Sequence, residues 1–249
     1  MKDHSYLGSG KVAVREYRAA APFIEIGNCS AANLSPQTNQ LSLADHTQPG
    51  GGERNSVERL TGVELGITFH DFAPDNLKRF LRGSVTTTAA GNVIDENVVA
   101  YKGGITPLAK IATAITEVTG TSGSTTYAAG TDYEFREGAL YIPETSTIPA
   151  PTGGAANIQV TYTNAAQSTV QALTNSSKHY EVLITGINEA QSGRLARVLA
   201  HKVSLGVLQQ WALIGDDYGA GEVTSKLMSD SSRGAGESAY FRADLEDVV

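Results

Sequence analysis

The chain has 249 residues, 41% hydrophobic and 18% charged, with a formal net charge of −7 and one cysteine, Cys29. That length buries a core without staples and suits one large β domain or two modest ones, and the apolar fraction excludes wholesale disorder. The acidic balance is opposite to that of a basic nucleic-acid reader, and a lone cysteine excludes an internal disulfide framework or a cysteine-based zinc cluster.

Met1–Tyr6 is not followed by an apolar h-region, so no secretory leader is expected. No apolar run approaches the length of a membrane-spanning helix, and one cysteine fits assembly in a reducing cytoplasm. Gly, Ser and Thr are abundant and long amphipathic runs scarce, which argues against a helical bundle. Lys11–Arg15, Pro22–Gly27 and Gln40–Ala44 read as short strands. Asp45–Ser56 follows, with three consecutive glycines after Pro49 that hold neither strand nor helix cheaply. It reads as a long surface loop, or as an arm that orders on a neighbouring subunit.

The clearest strand is Val63–His70, where Val63, Leu65, Ile67 and Phe69 alternate with polar residues or glycine and share one face. Pro74–Arg82 reads as a short helix. Pro74 suits the first helical position and Asp75 the positive end of the dipole, with Arg79 and Arg82 at the negative end. Leu77, Phe80 and Leu81 form its apolar stripe, and Gly83 is the expected left-handed cap.

From about Ala100 to Asn164 the texture changes. Ala114–Thr119, Tyr133–Arg136 and Leu140–Ile142 are short β signals, with Glu137–Gly138 as a hairpin turn, and Ile158–Thr163 alternates. This predicts a small β module, 100–164, inserted into a larger β domain made of 1–99 and 165–249. Tyr180–Thr185 is a further strand. Arg194–Ile214 fits both a helical and a strand period, with its second half favouring strand. Gly215–Ala220 reads as a turn and Val223–Met228 as a strand.

Catalytic patterns fail one by one. Gly8-Ser9-Gly10-Lys11 resembles the end of a phosphate loop, but Ser5 stands where the leading glycine belongs and Val12 where the magnesium-binding hydroxyl belongs. The five histidines have no metal-ligand spacing. His70 and Asp71 are adjacent on a strand, point to opposite faces and read as a polar strand end. Asp216-Asp217 reads as a turn. Tyr127, Tyr133 and Tyr141 are either cross-strand structural residues or a sugar-binding face. No enzyme activity, metal or cofactor is expected.

The order of these pieces carries a resemblance. Ile26-Gly27-Asn28-Cys29-Ser30 is followed by a Gly-rich loop, then Val63-Glu64-Leu65-Gly66-Ile67-Thr68-Phe69-His70-Asp71-Phe72 and, at once, the Pro74-Asp75-Asn76-Leu77 helix ending at Gly83. With Tyr127–Glu134, Gly138–Pro143 and Ile158–Thr163 in the inserted module and Trp211–Asp217 later, most of the chain resembles the tail tube (major tail) proteins of long-tailed bacteriophages, of the siphophage type. The resemblance implies a mainly-β sandwich or half-barrel with one short α-helix and an inserted β module, the latter on the tube exterior. It implies hexameric rings whose sheets join across subunits and stack into a hollow tube. That tube would be templated by a tape-measure protein, bounded by tail-terminator and distal tail or baseplate proteins, and would conduct double-stranded DNA. The setting would be the virion, assembled in the bacterial cytoplasm, with no membrane partner.

Within that frame, Asp45, His46, Gln48, Gly50, Gly51, Gly52, Glu53 and Arg54 are the inter-ring or inter-subunit contact candidates. A Gly-rich arm would be mobile in the free subunit and order on contact, at an entropic cost that opposes stacking without a template. Glu64, Glu181 and Glu189 are lumen-facing acidic candidates, since a negative wall repels phosphates and lets DNA slide. The rival reading is a surface or secreted β-sandwich adhesin or carbohydrate-binding protein.

Overall fold

The odd-numbered apolar residues from Val63 to Phe69 are all buried, and their strand runs well beyond the alternation that reveals it. The computed structural model describes residues 3–247. In chain order its elements are β1 (Gly8–Glu16), β2 (Ile24–Gly27), β3 (Cys29–Ala44), β4 (Glu53–Phe69), α1 (Pro74–Phe80), β5 (Ser84–Thr88) and β6 (Gly91–Val98). Then come β7 (Gly104–Thr106), β8 (Ala112–Gly120), β9 (Glu134–Arg136), β10 (Ala139–Ile142), β11 (Ile158–Asn164) and β12 (Gln167–Gln171). The last four strands are β13 (His179–Asn188), β14 (Arg194–Ser204), β15 (Gly221–Leu227) and β16 (Phe241–Leu245). The protein is therefore mainly β. No helix among the described residues is long and apolar enough to cross a membrane.

Two compact units form, Met1–Ser84 with Val170–Val249, and Val85–Thr169. The second unit starts earlier and ends later than the expected 100–164, because β6 lacks a clear alternation yet pairs with β11 along its length.

The first unit is built on one antiparallel sheet, in the order β2-β1-β13-β14-β15-β4-β3, with β16 beside β14. The terminal strands of that path, β2 and β3, are joined through Asn28 alone, so the sheet must curl until its two ends meet at a corner. Gly27 makes the corner at φ +102°, where a Cβ would lie 2.0 Å from an Asp71 carboxylate oxygen. That oxygen accepts the Asn28 N–H at 2.7 Å. Inside the curl, Val12, Val14, Leu65, Ile67, Phe69, Val182 and Val203 form the core.

Helix α1 plugs this core. Leu77 and Phe80 are buried, and the Phe80 ring stacks on Phe69 with centroids 4.7 Å apart. Asn76, also buried, donates from Nδ2 to the Ile26 carbonyl at 2.6 Å and the Asp71 carbonyl at 2.9 Å, bolting the helix to the corner. The helix ends at Phe80, before the expected Arg82. The left-handed residue is Arg82 (φ +48°), not Gly83. Gly83 N–H bonds Lys78 O and Arg82 N–H bonds Arg79 O, the paired bonds of a Schellman end. Gly83 is required for space instead, since a Cβ would lie 2.4 Å from the Gln171 carbonyl oxygen.

The second unit has its own core, with Val118, Leu140, Ile142, Ile158, Val160 and Tyr162 fully enclosed between the sheets β6-β11-β8 and β7-β10-β9. Glu137 and Gly138 turn β9 into β10 with φ +47° and +83°, as a type I′ hairpin demands. Asn157 accepts the Ala100 N–H and donates to Ala100 O and Pro149 O, so one buried amide satisfies three backbone groups. β5 and β12 pair as a two-stranded ribbon.

Two further expectations change. β14 is strand throughout Arg194–Ser204, because its first half pairs with β13 on one side and β16 on the other. Trp211 makes only an isolated bridge to Gly221, and regular strand resumes at Gly221.

Candidate functional site

The segment expected to be a loop is the end of a long hairpin. β3 and β4 pair from Cys29↔Phe69 out to Ala44↔Glu53. Glu53 and Arg54 are therefore strand residues, and Asp45, His46, Gln48, Gly50, Gly51 and Gly52 form its tip. The tip is closed internally. Asp45 N–H bonds Gly52 O at 2.8 Å, and the Asp45 carboxylate accepts the Thr47 hydroxyl at 2.6 Å and the Thr47 N–H at 2.9 Å. Those two bonds, the hydroxyl first, hold the Asp45 carboxyl below its ordinary range. A Cβ on Gly51 would lie 2.3 Å from the Asp45 carbonyl oxygen. The arm is thus ordered by its own pairing, which corrects the expectation that it orders only on contact.

Its faces are informative. At the base, Ala32, Leu34 and Pro36 oppose Ile67, Leu65 and Val63 and turn toward the core. Between Gln37↔Gly62 and Thr38↔Leu60 the register slips, leaving Thr61 unpaired on β4. A one-residue bulge reverses strand parity. Beyond it Leu41 opposes Val57, and Leu43 opposes Asn55, on the face away from the subunit's own core. Leu41, Leu43 and Val57 are 49%, 56% and 48% exposed. Among the described residues β3 pairs with β4 alone, so its second edge is open along sixteen residues.

The acidic candidates divide. Glu64 sits half-buried on the outer face of β4, opposite Lys226 of β15 and within 3.5 Å of the Gln37 amide. Glu189 is exposed on a 3-10 turn, Glu189–Gln191. Glu181 is buried and bound by Arg15, whose Nε donates to it at 2.7 Å, so it is no free lumen charge. Alternation had placed it outward; the chain after β15 covers that face. Glu222, which the sequence reading missed, is exposed beside Thr224 and Lys226 on the same polar face as Glu64.

The polar layer around Glu181 has its own chemistry. Asp230, 3% exposed, accepts hydrogen bonds from Ser232 and Tyr17 hydroxyls and faces Arg233 at 3.1 Å. The Ser232 hydroxyl, then the Tyr17 hydroxyl, hold its carboxyl far below the usual range. His201 is buried, and its Nδ1 has no partner. Burial, then Arg233, push its pKa down against the opposing pull of Asp230, Glu237 and Glu181. Both shifts favour the native state at higher pH. Unfolding lets His201 take a proton below about pH 6.5, and lets Asp230 take one below about pH 4, before either does so in the fold. Stability measured by chemical denaturation is expected to fall as pH drops below about 6.5 and more steeply below about 4. In His201→Gln the upper limb flattens while the lower one stays.

The remaining sequence candidates are structural. His70 contacts Gly219 O at 3.1 Å and Ser30 Oγ at 3.0 Å while Asp71 holds the Asn28 N–H, so the pair diverges. Gly8–Lys11 lies within β1, and Lys11 pairs with Glu25. Tyr127 and Tyr133 are buried in the second core, and Tyr141 is covered by the Arg136 guanidinium at 3.6 Å. Burial, then Asp71, raise the Cys29 thiol to about 11, so it stays protonated at neutral pH. Among the described residues no group of three or more His, Cys, Asp or Glu side chains is placed to hold a metal ion.

The fold and these surfaces define a mainly-β protein of two units, one a curled antiparallel sheet extended by a long hairpin arm with an uncovered apolar face. The chain belongs to the family described as protein of unknown function UCP028589, whose model matches residues 5–244. Comparison with curated proteins gives no match.

Proposed function

We propose that this protein is a structural subunit that assembles with its own copies into the tail tube of a long-tailed phage. Sheets join edge to edge in hexameric rings, and the β3–β4 arm of each copy seats on the next ring. A tape-measure protein sets the length, and terminator and distal tail proteins cap the ends. The observation that carries the reading is the arm, whose apolar residues turn away from their own core beside a sixteen-residue open edge. An exposed edge of that length invites pairing with another chain, and ring closure removes it. A head-to-tail contact that does not close on itself grows a filament. The polar face carrying Glu64, Glu222 and Lys226 is the proposed lumen wall, where a net charge of −7 per copy disfavours adhesion to phosphates during DNA passage.

The adhesin reading has less behind it, because two of its three tyrosines are enclosed in a core and the third lies under an arginine. Negative-stain microscopy of purified protein over rising concentration tests the proposal. Rings or hollow tubes of uniform width are expected. Single chains at every concentration, confirmed by light scattering, overturn it.

A further inference from the structure

The chain between β14 and β15 is pinned at both ends and bare in between. Gln209 N–H bonds Glu222 O at 2.9 Å, and Trp211 bridges Gly221 and stacks on Phe72 with centroids 5.8 Å apart. At the other end His70 holds Gly219 O. Between these anchors Leu213 is 74% exposed, Ile214 98% and Tyr218 97%, with the exposed acids Asp216 and Asp217 among them. Large apolar side chains displayed this fully on a tethered loop, together with two negative charges, form a peg.

The same unit carries a socket. A cleft of about 440 Å³ opens between α1, the β1–β2 turn and residues 175–178. Its cations on the helix side are Lys78, Arg79 and Arg82. Arg15 and Lys178 also line it but are paired with Glu181 and Glu16, and Arg79 donates from Nη1 to the Asn76 Oδ1 at 3.1 Å. The Lys78 ammonium has no hydrogen-bond or ion-pair partner among the described residues. The Arg82 Nε is buried without a partner, although its Nη2 donates to Leu205 O at 3.2 Å. Arg82 also holds a left-handed backbone, a strained choice for a non-glycine residue. Pro22, Ile24 and Leu205 supply an apolar wall, with Ile24 47% exposed, and Asp75 is the acid beside the three cations.

We infer that the 212–218 loop of one copy docks in the α1 cleft of the next, with Asp216 and Asp217 against Lys78, Arg79 and Arg82 and the flanking apolar side chains against Ile24 and Pro22. The match is one of charge and of apolar surface together. The loop does not line its own cleft and its apolar side chains are bare in the single chain, so the proposed contact is head-to-tail between copies. This inference rests on the self-assembly reading and names the surfaces that join.

Charge exchange tests it. Asp216→Lys/Asp217→Lys and Lys78→Glu/Arg79→Glu are each expected to raise the assembly threshold at least tenfold in sedimentation velocity, with unchanged circular dichroism. A one-to-one mixture of the two variants restores assembly, because each reversed loop then meets a reversed cleft, and so does the chain carrying all four changes. Reversals that leave assembly untouched, or that weaken it without rescue in the mixture, overturn the inference while wild-type tubes keep the wider reading standing. Wild-type protein that never associates removes both. Should a charge variant unfold, Ile214→Ser/Tyr218→Ser, which alters only bare side chains, must still raise the threshold, and unchanged assembly in it overturns the docking. Loss of binding to a duplex oligonucleotide by the cleft variant, with assembly intact, reassigns the cleft to nucleic acid and also overturns it.

Discussion

Leu41→Thr, Leu43→Thr and Val57→Thr in one chain are expected to leave the subunit folded and to abolish tube growth. Threonine is β-branched and readily accepted in a strand, so the arm retains its pairing. What is lost is apolar surface that has no partner within the chain, with about half of each side chain bare. Covering that remainder is worth about 1 kcal/mol per residue, or about 3 kcal/mol per arm, which is roughly a hundredfold in each contact. A ring brings several arms to the next ring at once, so the loss multiplies and visible tubes vanish. Electron microscopy and melting curves of the triple variant check this. Tubes of normal length would show that the arm's oily face is not what joins rings, and a collapsed melting temperature would show that it is an internal fold element.

Asn76→Ala is expected to be among the most damaging single changes to the first unit. The buried amide holds two carbonyls, Ile26 O and Asp71 O, and its Oδ1 accepts Arg79. Alanine fits the helix but leaves the Ile26 and Asp71 carbonyls without the amide that joins them. Each unsatisfied group costs about 1–3 kcal/mol, so a loss of about 2–4 kcal/mol is expected, and a melting temperature lower by roughly 5–15 °C. Hydrogen exchange should quicken in β2 and α1 and stay unchanged in β6, β8 and β11, which belong to the other core. A loss below about 1 kcal/mol would mean that water takes the amide's place.

Elements that pack on a core wrote themselves plainly into the sequence, and elements that pack on nothing did so only in part. Val63–Phe69 alternates because one face of β4 is buried, and Leu77 with Phe80 shows a stripe because α1 lies on Phe69. The outer hairpin has no such constraint, and of its length only Gln40–Ala44 reads as strand from the sequence. Residues 35–44 of β3 are almost all exposed, and the strand contains Pro36, which by itself argues against a strand. Only the register with β4 shows that the strand runs unbroken from Cys29 to Ala44. The bulge at Thr61 is equally silent, because its effect is to move Val57 from one face to the other without altering the residue pattern. Glu181 misled for another reason: the partner that holds it, Arg15 on β1, comes from far along the chain. Arg82 and Gly83 show the same limit at single-residue scale, where glycine implied a left-handed cap and the real demand was room for the Gln171 carbonyl.

The ribbon formed by β5 and β12 gives the second unit an unusual freedom. Its chain departs and returns on neighbouring strands, a separation of about 4.8 Å, the gap that an ordinary tight turn closes. The host sheet thus reads the whole of Val85–Thr169 as one oversized hairpin loop. Such a cassette can be trimmed, exchanged or decorated over evolutionary time while the threading of the scaffold stays the same, which separates what the inserted module displays from what the scaffold builds.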